Sequence, residues 1–169
     1  MYQKFGLITN HNKKYNYIYC DIIGLLYFVI NNNNYYKESF INLLKKHRAQ
    51  NNDIFNLVIE DYRNLKLKNC VKYLLIYNKS EIICSSRVIY KKTGLIQFVH
   101  TIKKYRNKKF GQLNIKKIMN LTNKFFKIYK FELSVSQKNI RAITFYERIG
   151  FTTKYINKLN NYVMKITLK

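Results

Sequence analysis

Apolar and polar residues along this chain change period several times, and each change marks an element. Tyr15 to Ile23 is dense in Tyr and Ile and predicts a first strand; Gly24 to Ile30 either extends it or opens a helix. Phe40, Leu43, Leu44 and His47 recur at helical spacing, with Lys45, Lys46 and Arg48 between them, which predicts an amphipathic helix near 36–49. A second helix is expected from Asn52 or Asp53, carrying Phe55, Val58, Ile59 and Tyr62, with Asp53 at the positive end of its dipole.

The middle of the chain switches to strand character. Tyr73 to Tyr77 and Glu81 to Tyr90 are β-branched and aromatic, and Asn78-Lys79-Ser80 between them reads as a hairpin turn. A second turn, Lys91-Lys92-Thr93-Gly94, leads into a third strand, Leu95 to Thr101. Ile115, Ile118, Met119, Thr122, Phe125, Phe126 and Tyr129 then follow the i, i+3, i+4, i+7 rule and predict the clearest helix. Phe131, Leu133 and Val135 alternate with polar residues as a strand. A short helix, Asn139 to Ile149, is closed by Gly150, and strands near Phe151 to Ile156 and Tyr162 to Leu168 finish the chain. The order is strand, two helices, three strands, helix, strand, helix, two strands, an α/β (α+β) arrangement without internal repeats.

The 169 residues suit a single domain over 1–169. With 47% hydrophobic and 16% aromatic residues, the composition excludes a disordered polycation, although the net charge is +24. That charge invites a nucleic-acid partner through phosphate contacts. Yet Lys, Asn, Ile and Tyr are abundant while Pro and Trp are absent, as AT-rich coding would produce, so part of the charge follows composition bias. Cys20, Cys70 and Cys84 lie far apart without C-x-x-C pairing, which fits a reducing, cytoplasmic compartment. His11, His47 and His100 are equally scattered, and no metal site is implied. The longest apolar run, Ile22 to Ile30, is too short to span a bilayer and lacks a signal-peptide cleavage site, so no membrane association is expected.

Two segments carry chemistry. Tyr105-Arg106-Asn107-Lys108-Lys109-Phe110-Gly111-Gln112 is a basic loop running into a helix N-terminus, where free N–H groups and the dipole favour a phosphate. Lys103, Lys104, Arg106, Lys108 and Lys109 are positioned to surround a pyrophosphate. Downstream, Asn139, Ala142 and Tyr146 fall at i, i+3 and i+7 of a helix, so a polar group, a small residue and a phenol share one face. Tyr146 is equally compatible with a packed core tyrosine.

Together and in this order, FVHTIKKYRNKKFGQ and SVSQKNIRAITFYERIGF resemble the two cofactor segments of the GNAT family, the GCN5-related N-acyltransferases that use acetyl-CoA. The first is similar to the family's strand, Tyr-Arg pair and R/Q-x-x-G-x-G/A pyrophosphate loop. The resemblance covers about residues 72–152. It implies a mixed, splayed central sheet with helices on both faces, and acetyl-CoA as co-substrate without metal. It further implies that Arg106, Asn107, Lys108, Lys109, Phe110, Gly111 and Gln112 wrap the pyrophosphate mainly through backbone N–H groups. Val99, His100 and Thr101 would pair with the pantetheine arm, Asn139 would bond that arm from the other side, and Tyr146 would protonate the departing thiolate.

The chain departs from the family pattern at Lys109, where the loop normally has its first glycine, and at Lys103, where a proline usually precedes the Tyr-Arg pair. A Cβ at Lys109 is expected either to crowd the cofactor or to push the loop outward. For a general base the strand from Leu95 to Thr101 offers no carboxylate. An imidazole in general titrates near neutral pH, which makes His100 a candidate, but simple alternation places Leu95, Gln97, Val99 and Thr101 on one face and His100 on the other. Glu132 and a bound water are the other candidates.

These features predict an enzyme that transfers an acetyl group from acetyl-CoA to a primary amine by direct attack. Its partner would be a small-molecule or protein amine, with the positive field favouring an anionic one, and the protein a monomer or homodimer. Two alternatives stand beside it: a basic nucleic-acid-binding protein, for which no recognition motif is present, and a GNAT-like fold with impaired catalysis because of Lys109. Cys70 and Cys84 are expected to be core residues, since direct transfer needs no covalent intermediate.

Overall fold

The structure, a computed structural model, describes residues 8–11, 15–21, 70–78 and 82–169. Within them run strands β1 (Ile8–His11), β2 (Asn16–Cys20), β3 (Val71–Tyr77), β4 (Ile82–Tyr90) and β5 (Gly94–Thr101). Helix α1 (Phe110–Phe126), β6 (Lys130–Ser136), α2 (Ile140–Ile149), β7 (Thr152–Ile156) and β8 (Asn161–Thr167) complete the order. The predicted helices near 36–49 and from Asn52 or Asp53, the segment Gly24 to Ile30 and the turn residues Lys79 and Ser80 lie outside the described residues. β1 had no counterpart in the sequence reading. The other described elements lie where the residue pattern placed them.

All eight strands form one sheet in the order β1-β2-β3-β4-β5-β6-β8-β7. β1 to β5 are an antiparallel meander. β5 and β6 are parallel, as a strand–helix–strand crossover through α1 requires. β8 then inserts antiparallel between β6 and β7. The sheet is therefore mixed.

Helix α1 packs on the sheet face that carries Tyr17, Tyr19, Leu74, Ile76, Val88 and Ile96, all buried. Ile115, Ile118 and Met119 project from its inner side into that surface. Polar groups fix its seat: the hydroxyls of Tyr19 and Thr122 lie 3.0 Å apart, and Asn114 donates through Nδ2 to the Leu74 carbonyl at 3.4 Å. Helix α2 packs on the same side, where Ile143 and Ile149 join the core with Phe131 and Phe151. The opposite face of the central strands is buried too, at Ile18, Tyr73, Leu75 and Tyr77.

α1 stops earlier than its periodicity predicts. Lys127 turns left-handed (φ 58°) and returns its N–H to Asn123 O, while Asn123 Nδ2 caps the Ile128 carbonyl. Tyr129, which continues the apolar spacing, is consequently outside the helix and half exposed. Lys127 takes here the left-handed position that glycine more often holds at a helix end.

Candidate active site

The parallel pairing of β5 with β6 is brief. Gly94 aligns with Phe131 and Leu95 with Glu132, and there the register ends. Beyond that point β5 stays with β4 as far as Thr101, and β6 stays with β8 as far as Ser136. The two strands thus diverge into a wedge walled by Ile96–Thr101 and Leu133–Ser136, the splay expected from the resemblance. Gly94 sits at its apex. A Cβ there would fall 2.5 Å from Cδ1 of the fully buried Phe131 ring, so only glycine lets the two backbones meet.

The wall of β5 is bent by a bulge. Ser85 faces His100 and Arg87 faces Gln97, which leaves Ser86 opposite two residues, Phe98 and Val99. Phe98 absorbs the extra residue with a left-handed backbone, φ 51°. One inserted residue reverses the side-chain alternation beyond it. His100 therefore shares the face of Gln97, while Thr101, opposite Cys84, lies on the other. Simple alternation had separated Gln97 from His100, and the bulge overturns that expectation.

Both helices begin at the wide end of the wedge. After β5 the chain makes a 3-10 turn at Lys103–Tyr105 and enters α1 through the basic loop. The first backbone bond of α1 runs from Leu113 N–H to Lys109 O at 2.9 Å, so the N–H groups just before Leu113 have no helical acceptor. Lys109 itself holds φ 63° and ψ 2°, and Asn107 holds φ 64°. The backbone thus takes at Lys109 the conformation that a glycine would supply, and the loop is not forced out of the left-handed region by the side chain.

The other loop residues divide between support and opening. Arg106 differs from its expected role: its N–H is bonded to Lys103 O at 3.2 Å, and its Nε donates to Thr101 O at 3.0 Å. It braces the loop against the end of β5. Lys104 and Lys108 place their ammonium groups 5.4 and 5.5 Å from the Tyr105 ring centroid, within cation–π range. Tyr105 is held edge-on by Phe110 and receives a 2.9 Å bond from Asn78 Nδ2. Gly111 is needed for contact: a Cβ would lie 3.2 Å from both Phe145 Cζ and Thr101 Oγ1, so this glycine seats α1 against α2 and β5.

On α2, Asn139 is the N-cap, accepting from Ala142 N–H through Oδ1 at 3.1 Å. This oxygen is used locally, and the amide nitrogen of the exposed side chain remains a donor. Arg141, which the sequence reading passed over, donates through Nη2 to Asn107 Oδ1 at 3.3 Å and ties the two helix starts together. Tyr146 lies partly buried, edge-on to Phe145 and Phe151. Burial pushes its phenol up to about 12, so it stays protonated through the neutral range. Glu132 is engaged with its cross-strand partner Lys165 at 3.1 Å. Cys84 is buried, donates to Phe110 O at 3.6 Å, and its thiol is pushed up by burial, which suits a core residue. Among the described residues no group of His, Cys, Asp or Glu is arranged to hold a metal, and no helix is long and apolar enough to cross a membrane.

Comparison with known proteins sets this geometry beside others. The Acetyltransferase (GNAT) family model matches residues 68–151. A GNAT-family acetyltransferase from Staphylococcus aureus Mu50 is similar over 81% of this chain and 96% of its own, at 24% identity and a TM-score of 0.61. The PaiA N-acetyltransferase of Thermoplasma acidophilum, in complex with coenzyme A, matches 87% of this chain and 94% of its own at 15% identity, TM-score 0.58. A spermidine N-acetyltransferase from Vibrio cholerae, in complex with CoA and spermine, matches 67% and 75% at 19% identity, TM-score 0.53. A search of curated protein sequences finds no match.

Proposed function

The chain belongs to the GNAT family of acetyltransferases, and on that footing we propose that it moves an acetyl group from acetyl-CoA to a primary amine by direct attack. The observation that carries this reading is the wedge between β5 and β6 with two helix N-termini at its wide end. Such a wedge offers unpaired strand backbone to an extended amide-bearing arm and free N–H groups to a pyrophosphate. The left-handed backbone at Lys109 supports the fit, because the conformation the family obtains from glycine is present despite the side chain.

In this reading the N–H groups from Asn107 to Gln112 hold the pyrophosphate, aided by the exposed ammonium groups of Lys108 and Lys109. Arg106 acts through the loop, by tying it to Thr101. Val99, His100 and Thr101 present backbone to the pantetheine arm on one wall, and Asn139 bonds the arm from the α2 side. Acetyl-CoA supplies the activated thioester. Tyr146 donates to the departing sulfur. Its phenol near 12 faces a thiol of about 8.5, so full transfer is uphill; the phenol works chiefly as a hydrogen-bond donor to developing thiolate, and a proton from solvent completes the exchange.

The same reading keeps the whole reaction within one domain, with the cofactor core near 72–152. The test is acetyl-CoA consumption across a panel of amines, with calorimetric binding of CoA beside it. Release of CoA that depends on one class of amine supports the reading. Tight, salt-sensitive oligonucleotide binding that CoA does not affect, with no turnover, would favour a nucleic-acid partner instead.

A further inference from the structure

The end of the sheet away from the cofactor loop gathers cations to which the acetyl-transfer reading gives no role. From Ile82 to Phe131 the sequence holds 13 Lys and Arg and no Asp or Glu. Part of this run is the loop at the wide end of the wedge; another part collects beneath its closed end. Tyr90 pairs with Gly94 and Gly94 with Phe131, so the β4–β5 turn and the start of β6 lie at one edge of the molecule. Tyr90 stacks on Phe126 with ring centroids 4.1 Å apart, which brings the last turn of α1 to the same place. Lys91, Lys92, Lys124, Lys127 and Lys130 are all exposed there. The carboxylates on the flanking strands are already engaged, Asp21 with Lys72 at 3.6 Å and Glu132 with Lys165 at 3.1 Å.

Two aromatic rings stand among these cations. Phe125 is 47% exposed and Tyr129 50%. Phe125 is braced by the nearly parallel Tyr19 ring at 6.4 Å, and the Lys124 ammonium lies 5.6 Å from its centre, so one nucleotide can reach ring and cation together. Tyr129 stands outside the helix with its carbonyl held by Leu168 N–H at 2.8 Å. Cations interleaved with fixed rings suit phosphates joined to bases. The large exposed aliphatic side chains among the described residues, Ile140, Ile156 and Leu159, belong to other elements, so this end lacks the apolar prongs that a lipid surface takes up. A second copy of the chain would meet like charge.

We propose that this end of the molecule binds a single strand of nucleic acid, its phosphates on Lys91, Lys92, Lys124, Lys127 and Lys130 and its bases against Tyr129 and Phe125. The surface is separate from the cofactor loop. Helix α1 runs from one to the other, and its 17 residues span about 25 Å at the helical rise. Charges so far apart are screened from each other at physiological salt, where the Debye length is about 8 Å. Strand and acetyl-CoA therefore bind independently, and this inference does not rest on the acetyl-transfer reading.

The experiment titrates the full chain into a fluorescein-labelled oligouridine of about 12 nucleotides, a length that one small surface can cover, and reads anisotropy between about 50 and 200 mM salt. Five phosphate contacts on a single strand give a slope of log Kd against log salt of about 3.5. Lys92→Gln, Lys124→Gln and Lys127→Gln combined should lower that slope by about 2. The combination Arg148→Gln, Lys154→Gln and Lys158→Gln, equal in charge but set on other elements, should leave it unchanged. Tyr129→Ala should weaken the oligouridine about tenfold, as loss of one stacked base does, and leave inorganic polyphosphate binding as it was. Saturating acetyl-CoA should not displace the strand.

Equal loss of slope in the two triple variants would mean that the field of the whole molecule, not this end, holds the strand. Displacement by acetyl-CoA would place the strand in the cofactor loop. Either result overturns the proposal, as does unchanged oligouridine affinity in Tyr129→Ala, or a wild type that binds phosphatidylserine vesicles and not the oligouridine. CoA release across the amine panel is read on the same preparations, so a failure of acetyl transfer and a failure of strand binding are seen separately.

Discussion

Replacing Lys109 by glycine tests how the proposed pyrophosphate loop works. Lys109 sits at φ 63°, its side chain caps nothing, and it is exposed. A left-handed conformation costs a residue with a Cβ about 1–2 kcal/mol. Glycine removes that strain but loses about 0.5–1 kcal/mol through its freer unfolded chain. The difference leaves about 0.5–1 kcal/mol in favour of Lys109→Gly, which for a chain of this size is a rise in Tm of about 1–4 °C. Affinity for CoA follows a separate argument. If the backbone holds the phosphates, the conformation is already in place, and the variant loses only one exposed ammonium, worth at most about 1 kcal/mol, or a fivefold change in Kd. Scanning calorimetry reads the first quantity and titration calorimetry with CoA reads the second. A lower Tm would refute the strain argument. A Kd weakened far beyond fivefold would mean that the ammonium, not the backbone, carries the phosphate.

Tyr146→Phe should lower turnover by about 10²–10⁴-fold with little change in acetyl-CoA affinity, and unchanged turnover removes the phenol from the reaction. Because burial pushes Tyr146 and Tyr90 up to about 12, the folded state keeps protons that the unfolded chain releases above the usual tyrosine value of about 10. Stability should be level below pH 10 and fall between pH 10 and 12, less steeply in Tyr146→Phe; equal slopes in thermal scans count against a buried phenol. Gly94→Ala drives a methyl into Phe131 and should lower the urea midpoint by about 1–3 kcal/mol in stability, whereas a neutral result would show that the wedge apex yields. Cys20 and Cys84 are buried with thiols pushed up by burial, so at pH 8 a disulfide reagent should label the folded protein at Cys70 alone and all three thiols only after unfolding.

Much of this architecture was legible because its signals are local. Phe131, Leu133 and Val135 alternate over a short span, Ile115 to Phe126 repeats at the helical period, and Asn139 and Gly150 bracket α2 with a cap at each end. The loop and the Asn139, Ala142, Tyr146 stripe could be found for the same reason, since each is a run of adjacent residues. The bond from Arg106 to the Thr101 carbonyl was not legible, because where its donors point depends on how the loop folds back. Arg141 went unnoticed because its partner, Asn107, lies in a different element.

The residue pattern by itself determined the succession of strands and helices, and two of its segments, in their order, carried the resemblance to the GNAT family. These depend on periodicity, caps and motif order, which short-range sterics and hydrogen bonding impose on any chain with these residues. Only the tertiary structure decided where β5 leaves β6, that Lys109 keeps a glycine-like backbone, and that Gln97, His100, Ser85 and Arg87 share one face. A bulge is one residue's mismatch between two paired strands. It exists only once β4 and β5 are in register, so no pattern within β5 alone announces it, yet it decides which side chains of the strand's far end share a face.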